Sequence, residues 1–188
     1  TRRRNTVLRK KSDMPQMIRS SLTDPSYEGT WRDDPVHRAW LLEDAFRQLA
    51  FFQASLRDDG GFDALDLDGS VLPRDGQELH VTARMVHSYA LGHALGHQGA
   101  DEIIDAGISY LWLHHRDMHH GGFVWATDGP TVTDGRKLAY GHVFVLLAAS
   151  SAKQVGHPFA ERLFTDIAEV IETRFWDEEC GLLREEYE

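Results

Sequence analysis

The sequence predicts an all-α fold, a ring or superhelix of helical hairpins, and three observations carry that prediction. The first is a unit that recurs about every 60 residues. Each copy opens on a glycine turn: DDGGF at 58–62, HHGGF at 119–123 and DEECGLL at 177–183. Gly61, Gly122 and Gly181 stand 61 and 59 apart, and self-similarity at a fixed period marks an array of like supersecondary units. The second observation is that each complete copy carries two apolar helical stretches, which bury their faces by stacking on the next pair. The third is an alternation. The first helix of each pair is apolar nearly all round and the second is amphipathic, as the inner and outer layers of a double-layered toroid require.

A closed ring of six such pairs needs on the order of 360 residues at this period. The chain has 188 and ends inside its third copy, so the expectation is about half of a larger ring. Half a ring leaves two apolar flanks, to be covered by further sequence, a partner chain or self-association.

The elements follow in order. TRRRNTVLRKK at 1–11 is basic and without periodicity, so residues 1–29 are expected to be a poorly ordered tail rather than a polyanion-binding arm. A single helical domain then spans 30–188. Asp34 can cap its first helix and Pro35 suits the first helical position. Trp40, Leu41, Leu42, Ala45, Phe46, Leu49, Phe52 and Leu56 carry that helix to about residue 56. DLDG at 66–69 and PRDG at 73–76 are turns, with room for small strands between them. An inner helix runs from His80 to about Leu95 and stops at Gly96 and Gly99. An outer helix over 101–115 sets Ile104, Ile108 and Leu111 against Glu102, Asp105 and Ser109. The pair repeats over 137–155, almost continuously apolar, and 159–174, where Phe159, Leu163, Ile167 and Val170 oppose Glu161, Asp166, Glu169 and Glu172.

Composition limits the function classes. A net charge of -10 argues against a nucleic-acid surface, which needs a basic stripe. The single cysteine, Cys180, excludes an internal disulfide framework and points to a reducing, cytoplasmic setting. No run is long and apolar enough to cross a bilayer, and no secretory h-region opens the chain.

Three segments could carry chemistry. In HVTARMVH, 80–87, His80, Arg84 and His87 fall at i, i+4 and i+7 on one face of an apolar helix. A buried guanidinium needs a carboxylate, carbonyls or a wet cavity. The stripe therefore reads either as a pocket for polyhydroxyl or anionic groups or as an internal salt bridge. In KLAYGHVF, 137–144, Tyr140 shares a face with Lys137 and Phe144 and would open into the same cavity; the alternative is a core tyrosine with a satisfied hydroxyl. His142 points to another side. HHRDMHH, 114–120, gathers four histidines and an aspartate at a helix end, but without zinc spacing, so a solvated or capping role is expected and no metal. No phosphate loop, nucleophile elbow or CxxC is present, and no carboxylate pair stands out as a glycosidase acid and nucleophile.

The segments GGFDALDLDG, LHVTARMVHSYALGHALG, HGGFVWATDGPTVTDGRKLAYGHVFVLLAAS and RFWDEECGLL, in this order and spacing, give residues 30–188 a resemblance to the N-terminal half of the N-acylglucosamine 2-epimerase family. Within it the chain looks most like the mannose isomerase and aldose–ketose isomerase branch. The resemblance implies an (α/α)6 barrel acting on a free sugar, with no metal or other cofactor. It moves a proton at the C1–C2 end through an enediol-type intermediate. Arg84 matches the family arginine that contacts sugar oxygens near the reacting carbons, and Tyr140 a tyrosine of the same pocket. His80 sits where some relatives have tryptophan and is more like the mannose isomerases. The family's acid/base histidines belong to later repeats, beyond residue 188. The implied function is interconversion of an aldose and its 2-ketose, mannose and fructose being the pair. A 2-epimerase, or a non-catalytic helical scaffold for these 188 residues, is the alternative. The implied partner is a small-molecule sugar, not nucleic acid or membrane.

Overall fold

The computed structural model describes residues 31–73 and 76–187, so the basic segment expected as a tail lies outside the described residues. The chain divides into two compact units, Thr1–Ala45 and Phe46–Glu188. In the first, a short 3-10 turn, Trp31–Asp33, leads into helix α1, Pro35–Gln53, whose residues 46–53 belong to the second unit. Asp34 caps it as expected: its Oδ1 accepts from the N–H groups of Val36 at 2.8 Å and His37 at 3.4 Å.

The expected run of α1 to residue 56 is not realised. The Ser55 hydroxyl donates to the Phe52 carbonyl at 2.6 Å, so a side chain takes an acceptor of the last turn. Leu56 then leaves the helix to bridge Phe62.

In the second unit, the hairpin β1 (Ala64–Leu65) and β2 (Val71–Leu72) closes around DLDG. Strand β3 (Gln77–Glu78) runs straight into helix α2 (Leu79–Ala94), and helix α3 (Ala100–Tyr110) follows, ending in a π-helical turn, Leu111–His115. Strands β4 (Ala126–Asp128) and β5 (Thr131–Asp134) form the next hairpin. The sequence then repeats itself as structure. Strand β6 (Lys137–Leu138) enters α4 (Ala139–Gln154), and α5 (Ala160–Val170) ends in a second π-helical turn, Ile171–Phe175. Short strands β7 (Trp176–Asp177), β8 (Leu182–Leu183) and β9 (Glu186–Tyr187) finish the described chain. The fold is mostly helical, with the small strands confined to the turns between pairs.

These strands tie one copy to the next. Gln77 of β3 pairs with Thr127 of β4, and, 60 residues on, Lys137 of β6 pairs with Tyr187 of β9. That pairing corrects one boundary. Residues 137 and 138, read from sequence as the start of the inner helix, are a strand because β9 supplies their ladder. The glycines of the repeat-opening turns, Gly61 apart, are left-handed, Gly122 with φ of 73° among them. Gly60, Gly121 and Gly181 have φ of 83°, 77° and 65° and send their N–H to the carbonyls of Arg57, Asp117 and Asp177. The left-handed residue of the first copy is therefore Gly60, not Gly61.

The core lies between the layers. Ala83, Val86, Tyr89 and Ala90 of α2 meet Ile103, Ile104, Ile108 and Leu111 of the α3 hairpin arm, all buried. Val145, Ala148, Ala149 and Ala152 of α4 meet Leu163 and Ile167 of α5 in the same way. The inner–outer alternation read from sequence holds: Glu102 and Asp105 of α3 and Glu161 and Glu169 of α5 face solvent. Close approach is needed at Gly107, where a Cβ would stand 2.5 Å from Val86 Cγ2. No helix among the described residues is long and apolar enough to cross a membrane.

Candidate active site

Helices α2 and α4 pack side by side, and each begins directly from its strand. Positions 60 residues apart are thereby equivalent, so His80 corresponds to Tyr140 and Arg84 to Phe144. The structure brings these four together. Arg84 Nη2 donates to Tyr140 Oη at 3.2 Å, and its guanidinium lies 4.5 Å from the Phe144 ring centre. The Tyr140 and Phe144 rings meet edge to face at 5.0 Å. His80 stacks on Trp125 at 5.1 Å with 14° between planes and stands 5.7 Å from Tyr140. Trp125 is fixed through its backbone: its carbonyl accepts from Leu79 N at 2.7 Å and its N–H donates to the Arg136 carbonyl at 2.9 Å.

The three residues nominated from sequence, His80, Arg84 and Tyr140, thus share one wall. No carboxylate among the described residues pairs with Arg84; its recorded partners are a hydroxyl and a ring face. Arg84 also borders a cleft of about 230 Å³ whose other walls are Gln48, Leu49, Phe52, Met85, Ser88 and Tyr89. Because Tyr140 Oη accepts from Arg84, its own proton is left to donate elsewhere. Arg84 keeps further N–H donors beside it. Rings plus a few convergent donors suit a small polyhydroxyl molecule, whose C–H faces are apolar and whose oxygens accept.

The wall has two further members, Trp125, which sequence reading missed, and Phe144, which it placed only on the face of Tyr140. Trp125 stands where the first copy has Ala64, so a break in the repeat was its signal. Phe144 stands where the first copy has Arg84.

Other nominated or weighed residues have structural roles. His87 does not join the wall. Ser151 Oγ gives its proton to the Leu147 carbonyl at 2.8 Å, so His87 Nδ1–H donates to Ser151 at 2.7 Å, and burial holds His87 below the usual imidazole range. Lys137 does not share the face of Tyr140 either. It is buried on β6, its Nζ 2.8 Å from Asp117 Oδ2. Burial works to raise the Asp117 carboxyl, but Lys137 and the N–H groups of His120 and His119 outweigh it and hold it well below the carboxylate range. Breaking a buried pair leaves a charge uncompensated. Lys137→Met is expected to lower stability by about 3 kcal/mol, read from urea unfolding.

His142 is fully buried. Its Nδ1 donates to the Leu138 carbonyl at 2.8 Å and its Nε2 accepts from Phe123 N at 2.9 Å. The first copy does the same with a different side chain: Gln77 Oε1 accepts from Phe62 N at 2.7 Å, and Gln77 Nε2 donates to Thr82 at 2.6 Å. Thr82 in turn faces His115 Nε2 at 3.3 Å, while His115 Nδ1 donates to the Val124 carbonyl at 3.0 Å. Burial lowers both His115 and His142 to about 4. The histidine-rich segment is therefore a turn support. His114 rests on Tyr110 at 4.4 Å, His115 is internal, and Arg116 forms a two-point pair with Asp166 at 2.8 Å. Among the described residues no group of three or more His, Cys, Asp and Glu is arranged to hold a metal ion.

Known proteins resemble the chain in sequence and fold. The family model described as N-acylglucosamine 2-epimerase (GlcNAc 2-epimerase) matches residues 60–188. A D-mannose isomerase of Thermobifida fusca is 43% identical over 159 residues, 84% of this chain and 39% of that protein. One of Pseudomonas cannabina pv. alisalensis is 39% identical over 84% of this chain and 38% of its own length. A crystal structure of D-mannose isomerase superposes with a TM-score of 0.70 at 31% identity, over 78% of this chain and 38% of that one. Cellobiose 2-epimerase from Bacillus thermoamylovorans superposes with the same TM-score, 0.70, at 21% identity over 79% and 41%, a likeness of fold. The chain spans about two fifths of the length of the curated relatives it matches.

Proposed function

The chain belongs to the N-acylglucosamine 2-epimerase family, and from that premise we propose that the complete protein is a sugar isomerase interconverting an aldose and its 2-ketose. Mannose and fructose are the proposed pair, following the relatives named D-mannose isomerase. One observation carries the reading: Arg84 stands among His80, Tyr140 and two further rings with no carboxylate partner among the described residues, its donors available to an incoming oxygen.

The chemistry follows from that placement. Removing the C2 proton sends negative charge onto the sugar oxygen, and a fixed donor beside that oxygen stabilises it. Arg84 takes that part, Tyr140 donates to a neighbouring hydroxyl, and His80 on Trp125 supports the sugar's face. The base needs a pKa near the working pH, which suits a histidine. His115 and His142 are unsuited, since both are enclosed and both ring nitrogens are engaged. The family resemblance, in which the acid/base histidines belong to later repeats, leaves the proton carrier assigned to no residue of this chain. The reading routes the reaction through side chains, with no metal or other cofactor, in the cytoplasm, where the exposed thiol of Cys180 stays reduced. The exposed Leu91, Leu95, Val143 and Leu147 are read as flanks for further repeats or a second copy to cover.

Incubating the complete protein with mannose tests the proposal. Fructose is the expected product. Epimerisation of N-acetylmannosamine or cellobiose, with no fructose from mannose, would replace it with a 2-epimerase, which returns the proton to the opposite face of the same intermediate.

A further inference from the structure

An arginine that stabilises developing charge must be held still, and a carboxylate is the usual means. Arg84 has none among the described residues. Two contacts remain to fix its plane. One is the Tyr140 hydroxyl at 3.2 Å, at the guanidinium edge. The other is the Phe144 ring, 4.5 Å from Cζ. A guanidinium near an aromatic ring is attracted by the ring's negative face, and the contact leaves its N–H edge free for other partners. Phe144 is half-buried and packed against the core cluster, so its ring is anchored where the Arg84 side chain is exposed.

Topology brings the two positions near each other. Positions 84 and 144 are the same position in consecutive inner helices, and α2 lies on α4. The pair 80 and 140 lies close in the same way, with ring centres 5.7 Å apart. The chain has placed arginine in one copy and an aromatic ring in the next. A carboxylate at 144 would neutralise Arg84 and occupy the donors meant for substrate. Phenylalanine orients the group without consuming them.

We infer that Phe144 is the positioning residue for Arg84, holding the guanidinium for a sugar oxygen through its ring face. The inference rests on the reading of Arg84 given above. Its test separates the two. In the complete protein, Phe144→Leu is expected to lower kcat on mannose about tenfold while KM moves less than about twofold, the loss of one cation–π restraint felt in the transition state. Phe144→Tyr keeps the ring and should hold kcat within about twofold of the parent. The Arg84 Nε–Hε resonance, distinct in the parent, should merge with those of unrestrained surface arginines in Phe144→Leu and remain distinct in Phe144→Tyr.

Phe144→Met, which fills the space without a ring, serves if leucine lowers the melting temperature. Parent-like kcat in the leucine or methionine variant, with Arg84→Lys impaired, overturns the inference and leaves the reading of Arg84 standing. Parallel losses of kcat and melting temperature in both ringless variants, with the resonance unchanged, also overturn it by marking Phe144 as packing alone. If Arg84→Lys itself retains turnover, the reading of Arg84 fails, and the resonance alone decides whether Phe144 holds the guanidinium.

Discussion

Arg84→Lys in the complete protein is expected to cut kcat by about 10² to 10³ while leaving the melting temperature within a few degrees of the parent. Losing one oxyanion donor typically costs about that much. Lysine keeps the positive charge but not the planar fork, so it can meet one oxygen where arginine meets two. Arg84 makes no ion pair with the described residues, and its hydroxyl partner Tyr140 is half exposed, so little folding energy rests on it. Turnover should therefore fall further than substrate affinity, because the interaction strengthens only as charge develops. Specific activity and thermal unfolding of the same preparation decide the matter. A destabilised variant with near-parent turnover would make Arg84 a structural residue.

Much of this wall could be read from the chain, and the failures have physical causes. The 60-residue period was legible because glycine turns and inner–outer alternation are local signals. Arg84, His80 and Tyr140 stood out because polar groups on an apolar helix need a reason. Lys137 looked like a fourth member because helical periodicity extends smoothly back through it. Its true setting depends on β9, about 50 residues later, which pairs with β6 and leaves the ammonium facing Asp117. Trp125 was hidden for a similar reason. It lies in a loop, and only its backbone bonds to Leu79 and Arg136 bring the ring against His80. His142 was read as pointing to another side than Tyr140, and its task of holding Phe123 N–H depends on a turn 19 residues away. Each miss involves a partner that local pattern does not supply.

Acid should unfold this protein at a pH where its carboxylates are still ionised. His115 and His142 have folded pKa values of about 4, against about 6.5 for an exposed imidazole. Between those values the unfolded chain binds more protons than the folded one, so stability falls as pH drops through that window and levels off below it. A difference of this size corresponds to about 3 kcal/mol per histidine, and two together approach the stability of an ordinary domain. His87, also lowered by burial, acts in the same direction. The cause is geometric. A proton added to His142 Nε2 would point at the Phe123 N–H that it now accepts from, and one added to His115 would place a charge on a fully buried ring. Asp117 works in a different window. Its carboxyl is depressed, so its contribution is intact above the ordinary carboxylate range and is lost only as pH falls further. Urea unfolding across pH 7 to 4 should show the midpoint dropping steeply from about 6.5 downward. His142→Gln borrows the acceptor that Gln77 already provides to Phe62 in the first copy. It should sacrifice some stability at neutral pH and flatten that slope by roughly half, since one of two strongly shifted groups is gone. A slope unchanged by His142→Gln would remove the enclosed histidines from the explanation and leave the acid sensitivity to other groups.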